Sequence, residues 1–418
     1  MDHRGPATTA VHPAPSQATD HCPLTSMKIT RLETIRLDRH PDSLWLRIHT
    51  DDGPVGLGET SYAPRAVSAL IHDQLAPLLL EQDPLDIERH WHTMFAAVNA
   101  YGFGGAETRA ISAVDIALWD IAGQHSGQPI YNLLGGRSRD RIPIYNTCLS
   151  HGSNQDAGAW MEGRAGQLAE DLLQQGIKAM KIWPFDLLPG PARAETGAPG
   201  PVRHYLDKDT LKRGVACVEE IRAAVGDKMQ IAIEGNARWN LPAAIAIARS
   251  LEPYNIMWLE EMIPPDNVES YARLKAESRI PLCVSERLFT RFGFRRVVEA
   301  GAADIIMPDI SWTGGITETR KICAQADTYF LPVTGHDATG PVALWAAAHF
   351  MLHVPNAMNL ETVRAYYNGW YNDLVTERIP INAGMLSLPA KPGLGVVLRE
   401  EVLNYPDARI EQSDLYTT

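Results

Sequence analysis

Gln230-Ile231-Ala232-Ile233-Glu234 is a short apolar run that ends on a glutamate. The pattern returns at Ile256-Met257-Trp258-Leu259-Glu260 and again at Leu282-Cys283-Val284-Ser285-Glu286, so Glu234, Glu260 and Glu286 are evenly spaced. The spacing is roughly the length of one strand, one helix and two short loops, the repeat of a parallel βα unit. Three successive parallel strands each present a carboxylate at the same end. Carboxylates converging on one pocket repel strongly unless a hard cation lies between them. Glu234, Glu260 and Glu286 therefore read as ligands of Mg²⁺ at the mouth of a barrel.

The rhythm extends in both directions. Strand candidates are Ile142–Leu149, Ala179–Trp183, Gln230–Glu234, Ile256–Glu260, Pro281–Glu286, Asp304–Asp309, Leu331–His336 and Asn359–Glu361, with helical stretches between them. Eight βα-type units predict a TIM-like α/β barrel, whose active site lies at the C-terminal strand ends. Those ends carry Lys181 on strand two, Asp309 on strand six, His336 on strand seven and Glu361 on strand eight. The interval between strands two and three is longer than the others and contains a Pro/Gly-rich segment, 184–204, which reads as a loop over the mouth.

Upstream the pattern differs. Residues 27–60 alternate apolar and polar around a turn at Asp51-Asp52-Gly53-Pro54, which predicts antiparallel strands. Residues 63–135 read as helices, clearest at Ala110–Ala122 with Gly127 and Pro129 behind it. The expected organisation is a disordered tail at 1–26, an α+β capping domain at 27–140, the barrel at 141–380, and a return at 381–418 that packs on the cap. The tail lacks the apolar core of a secretory signal, and the functional protein is expected to begin at Met27.

The 418 residues carry a formal net charge of −12 and are 45% hydrophobic. The charge disfavours nucleic acid and anionic membrane as partners, and no apolar stretch is long enough to span a bilayer. Cys22, Cys148, Cys217, Cys283 and Cys323 show no Cys-x-x-Cys pattern, which fits reduced thiols in a cytoplasmic protein.

The strand-end groups suit removal of a proton next to a carboxylate. Asp309 can orient His336 and raise its basicity, making it a general base. Mg²⁺ stabilises the dianionic enediolate that forms, Lys181 adds a second cation near the same oxygens, and Glu361, if protonated, donates to the developing oxyanion. The mouth is polar and aromatic: Asn146, Trp183, Arg203, His204 and Trp312.

In combination these residues resemble the mandelate racemase subgroup of the enolase superfamily. The resemblance is carried by Gly56-Leu57-Gly58-Glu59, by Ala110–Gly136 with Asp115-Ile116-Ala117-Leu118-Trp119-Asp120, and by Lys181, Glu234-Gly235-Asn236, Trp258-Leu259-Glu260-Glu261 and Ser285-Glu286. Met307-Pro308-Asp309 with Gly314-Gly315, His336 and Glu361 complete it. It implies a (β/α)₇β barrel with an α+β cap completed by the C-terminal segment, an essential Mg²⁺, a cap loop near Tyr62–Arg65 that selects substrate, and a homo-oligomer between dimer and octamer.

Two departures from the family pattern matter. Lys181-Ile182-Trp183 stands where the subgroup often has Lys-x-Lys, so an indole that cannot take a proton replaces a second base. Glu234 stands where Asp is commoner, and Asn236 is a candidate support for that site. One-sided acid/base chemistry points to a sugar-acid dehydratase converting an aldonate or aldarate to a 2-keto-3-deoxy acid. A cycloisomerase of a lactone or anhydro-sugar acid needs the same base and enolate. A racemase or epimerase, which needs proton transfer on both faces, ranks third.

Overall fold

The computed structural model describes Met1, residues 27–186 and residues 205–415. Apart from Met1, the tail expected at 1–26 lies outside the described residues, as does most of the expected mouth loop, with Arg203 and His204.

The cap is an antiparallel sheet of β1 (Ile29–Leu37), β2 (His40–Thr50) and β3 (Val55–Ser61), with the turn at Asp51–Pro54 joining the last two. A C-terminal strand, Ala408–Asp414, pairs with the outer edge of β1. Helix α1 (Ala106–Ser126) lies directly on β3. Gly56 and Gly58 explain how closely: a Cβ at either position would overlap the carbonyl oxygen of Ala117 or Ala113 on the helix. The helix ends at Gly127 with φ 66°, a left-handed cap that glycine adopts without steric cost.

The second body is a closed barrel of eight parallel strands: β4 (Ile142–Thr147), β5 (Ala179–Ile182), β6 (Gln230–Glu234), β7 (Trp258–Glu260), β8 (Leu282–Val284), β9 (Ile305–Ile306), β10 (Val333–Gly335) and β11 (Ala357–Thr362). Each pairs with its sequence neighbour, and β11 closes on β4 through Glu361↔Tyr145. A short pair, Ile381–Asn382 with Met385–Leu386, adds to the start of β4 through Met385↔Pro143.

Strand pleating gives the barrel its layers. Tyr145, Ala179, Ala232, Trp258, Cys283, Ile305 and Met307 form their own buried cluster inside it. Side chains two residues further along a strand share the same face. That face therefore carries Thr147, Lys181, Glu234, Glu260 and Asp309 one step nearer the C-terminal mouth. An apolar floor and a charged layer above it follow from a single alternation. Among the described residues no helix is long and apolar enough to cross a membrane.

Candidate active site

Glu234, Glu260 and Glu286 are buried, and one carboxylate oxygen from each lies within 4.8 Å of the other two. Each is held from its own side. Glu234 Oε1 accepts the Asn236 N–H at 2.6 Å, and Glu260 Oε2 accepts the Trp258 indole N–H from the floor at 2.9 Å. Glu286 Oε1 lies 3.5 Å from the Arg287 guanidinium. Burial, opposed by Lys181 but reinforced by the Glu234 and Glu361 carboxylates, pushes the Glu260 carboxyl well above its ordinary range. A buried set of three converging oxygen donors fits a hard divalent cation.

Lys181 Nζ sits among three carboxylates, two of this cluster and that of Glu361. It donates to Glu260 Oε1 and lies 3.3 Å from Glu234 Oε2 and 2.9 Å from Glu361 Oε1. Burial opposes its charge, but the surrounding glutamates raise its pKa well above the usual lysine value. Glu361 also accepts the Thr147 hydroxyl and, at 3.2 Å, the Asp337 N–H. Burial pushes the Glu361 carboxyl up, but Lys181, His336 and Thr147 outweigh it and hold the group well below the carboxylate range. Two cationic neighbours and a hydroxyl thus favour the anionic form of Glu361, whereas the donor role considered from the sequence requires the protonated one.

His336 Nδ1 is 2.6 Å from Asp309 Oδ2, and its Nε2 faces Glu286 Oε2 at 3.2 Å and Glu361 Oε2 at 3.7 Å. Asp309 is oriented in turn by the Ser311 N–H and hydroxyl, both at 2.7 Å. Burial disfavours imidazolium, yet Glu286, Glu361 and Asp309 together raise the His336 pKa well above its ordinary value. A cation held at Glu286 would offset part of that negative field and leave the imidazole freer to accept a proton.

Lys181, Glu234, Glu286, His336 and Glu361 line one pocket together with Trp183, Asn236 and Trp312. Trp183 packs edge-on against Trp160, with ring centroids 5.0 Å apart. The Asn236 amide donates to Asp186 Oδ2 at 3.2 Å. The Trp312 ring lies 5.0 Å from His336, and its N–H donates to Ser61 of the cap at 2.9 Å. Asn146 is placed elsewhere. Its neighbours Tyr145 and Thr147 take the inward positions of β4, so its side chain turns out of the barrel. There it donates to Asp156 at 3.0 Å and accepts the Arg364 N–H at 2.8 Å. The expected substrate contact at Asn146 is replaced by a structural tie.

Sequence reasoning did not single out Thr147, Arg109 or Arg287. Thr147 is the next inward residue of β4 after Tyr145, a parity that the packing of Tyr145 on Trp258 reveals. Arg287 Nε reaches the buried Glu261 at 2.5 Å, and this pair accounts for the second glutamate of Glu260-Glu261. Arg109, on α1 of the cap, lines an adjoining compartment that shares Tyr62, Asn236, Glu286 and Trp312 with the first. Its distance along the chain gave no signal.

Comparison with known proteins agrees with this layout. Residues 34–135 match the mandelate racemase / muconate lactonizing enzyme N-terminal domain, and residues 164–402 match the enolase C-terminal domain-like family. A D-galactonate dehydratase of Ralstonia nicotianae is 36% identical over 384 residues, covering 90% of this chain and 94% of that protein. A D-xylonate dehydratase of Haloferax volcanii is 32% identical over 372 residues, covering 89% and 87%. A crystal structure of an enolase of the mandelate racemase subgroup from Agrobacterium tumefaciens superposes with a TM-score of 0.83 at 41% identity, covering 94% of this chain and all of that one.

Proposed function

The chain belongs to the mandelate racemase / muconate lactonizing enzyme family of the enolase superfamily, and from that premise we propose that it is a Mg²⁺-dependent sugar-acid dehydratase. The observation that carries the reading is the placement of His336, backed by Asp309, on one side of the three-glutamate cluster, while Trp183 holds the position of a second base. The aldonate dehydratases among its relatives favour elimination over ring opening and over racemisation.

Glu234, Glu260 and Glu286 hold the metal. Bound there, Mg²⁺ supplies charge stabilisation to a substrate carboxylate as its α-proton leaves. His336 Nε2 takes that proton, and the electron pair of the C–H bond passes into the enediolate. Asp309 fixes the imidazole through Nδ1 and stabilises the imidazolium. His336 then returns the proton to the β-hydroxyl. The C–O bond breaks, water leaves, and the enol product tautomerises to the 2-keto-3-deoxy acid. Lys181 places a positive charge beside the developing oxyanion. Ionised Glu361 holds Lys181 and His336 at their stations and does not itself donate. Trp183, Asn236 and Trp312 form the walls against the sugar chain.

In this reading residues 27–140 select the substrate, residues 141–380 perform the chemistry, and residues 381–418 tie the two together. The working form is a cytoplasmic homo-oligomer. The test is solvent deuterium exchange at the α-carbon, followed with 2-keto acid formation across a sugar-acid library in the presence of Mg²⁺. The expected result is exchange and keto-acid formation with at least one configuration. Absence of both across the library would overturn the proposal.

A further inference from the structure

Arg109 is the one cation lining the pocket that the described residues leave without a direct ion pair; the Asp309 and Glu286 carboxylates act on its charge only from beyond contact distance. Lys181 is surrounded by glutamates, and Arg287 pairs with Glu261 and Glu286. Arg109 has neither an ion pair nor a hydrogen-bond acceptor among the described residues, and its Nε is buried without a partner. Three aromatic rings enclose it instead. Its Cζ lies 4.8 Å from the Trp312 centroid, 5.2 Å from Phe289 and 5.9 Å from Tyr62. Ring faces attract a guanidinium but leave its N–H donors unused. A half-buried donor fork without an acceptor is costly unless something brings the acceptor.

The position says what would bring it. Arg109 lines the compartment that opens from the catalytic pocket past Glu286 and Trp312. Trp312 neighbours both stations: Arg109 Cζ lies 4.8 Å from its ring centroid and the His336 ring 5.0 Å from it. A carbon chain of about five or six atoms reaches from the base to the guanidinium at ordinary covalent lengths. The metal-ligating glutamates take one end of such a chain, so Arg109 meets the other.

We infer that Arg109 is a specificity-determining residue that binds a second, terminal carboxylate of the substrate, which makes the preferred substrates aldarates of five or six carbons. The planar fork matches a planar carboxylate in two parallel hydrogen bonds, and the slot between flat rings suits that group better than a tetrahedral phosphate. A terminal hydroxyl accepts from the same donors but leaves the charge unanswered. The inference rests on the sugar-acid reading and narrows it.

Two measurements keep the inference and that reading apart. The first is binding to the inactive His336→Asn variant, titrated by calorimetry with D-galactonate, with the aldarate of identical configuration, and with the 6-phosphate of the same monoacid. The second is α-deuterium exchange by the wild type with the first two acids. In the His336→Asn background the diacid is expected to bind about tenfold or more tighter than the monoacid. Adding Arg109→Met reduces that preference to within about threefold, and Arg109→Lys, which keeps the charge but not the fork, retains more of it. Equal affinity for diacid and monoacid, a preference that survives Arg109→Met in a folded protein, or tighter binding of the 6-phosphate would each overturn the inference. Exchange with the monoacid alone would refute the inference and leave the dehydratase reading standing. Tight, Arg109-dependent diacid binding without exchange by any acid of the wider library would do the reverse.

Discussion

His336 Nδ1 stands 2.6 Å from Asp309 Oδ2, and the backbones of these two residues are joined by a parallel bridge at the ends of neighbouring strands. The orientation of the imidazole is thus set by the barrel itself and not by a loop. Asp309→Asn keeps the shape but removes the charge that favours imidazolium. Turnover is expected to fall about 10²-fold or more with KM within a few-fold, and His336→Asn is expected to fall further, toward the ~10⁴-fold end of the range for general-base loss. Both variants should bind Mg²⁺ with an affinity close to wild type. Steady-state kinetics beside calorimetric metal titration checks this, and near-normal turnover of His336→Asn would show that another residue is the base.

Removal of the divalent cation by a chelator should abolish turnover, and Mg²⁺ should restore it. Because three buried carboxylates repel one another without a cation, Mg²⁺ is also expected to raise the melting temperature in proportion to its occupancy. Glu260→Gln removes one ligand and one charge. It should lose activity and lose most of the Mg²⁺-dependent rise in melting temperature, while its metal-free form melts no lower than the wild type. A full Mg²⁺-dependent rise in Glu260→Gln would remove Glu260 from the ligand set.

Glu59 gives a prediction for pH. It is buried, accepts the Ala343 N–H at 2.6 Å, and burial pushes its carboxyl up to about 8. Asp115 and Asp120, also buried, are pushed up to about 7. A carboxyl with a raised pKa in the fold binds more protons there than when unfolded. Its contribution to stability is therefore complete below the ordinary glutamate range and is lost as pH rises toward about 8. The melting temperature should decline between about pH 5 and pH 8, and Glu59→Gln should flatten part of that slope. An identical slope in the variant would exclude Glu59 as its source.

Asn146→Ala separates a structural tie from a substrate contact. Losing its bonds to Asp156 and the Arg364 backbone is expected to cost about 1–3 kcal/mol of stability. KM for any turned-over acid should stay within about twofold. A large rise in KM with unchanged melting would return Asn146 to the pocket.

The barrel was legible because its repeat length and its strand-end carboxylates report the same geometry. Glu234 and Glu260 are paired across neighbouring strands and share a face, whereas Glu286 lies three residues beyond Glu260's partner Cys283 and joins the cluster from past its strand end. Asn146 shows where that logic stops. Strand parity needs an anchor, and nothing in Ile142–Thr147 says which alternate residues point inward until Tyr145 is seen packed on Trp258. The ionisation of Glu361 was illegible for another reason, since it depends on Lys181 and Thr147, far away in sequence and adjacent in space. Arg109 combines both difficulties, a cap residue whose role exists only where α1 meets the barrel mouth.

Gly56-Leu57-Gly58-Glu59 and Asp115 also bear on how such a protein can change. The Glu59 carboxylate meets the start of the helix Pro341–His353, which follows the strand bearing His336. Asp115 accepts the Thr317 N–H at 2.9 Å, at the start of the helix Gly315–Thr328 that follows the strand bearing Asp309. The two barrel helices behind the catalytic pair are thus each seated on an acid from the other body. Recombination that exchanges caps between relatives can trade Tyr62 or Arg109 freely, because those residues face the pocket. It must inherit Glu59 and Asp115 unchanged, or the new specificity arrives with its base displaced.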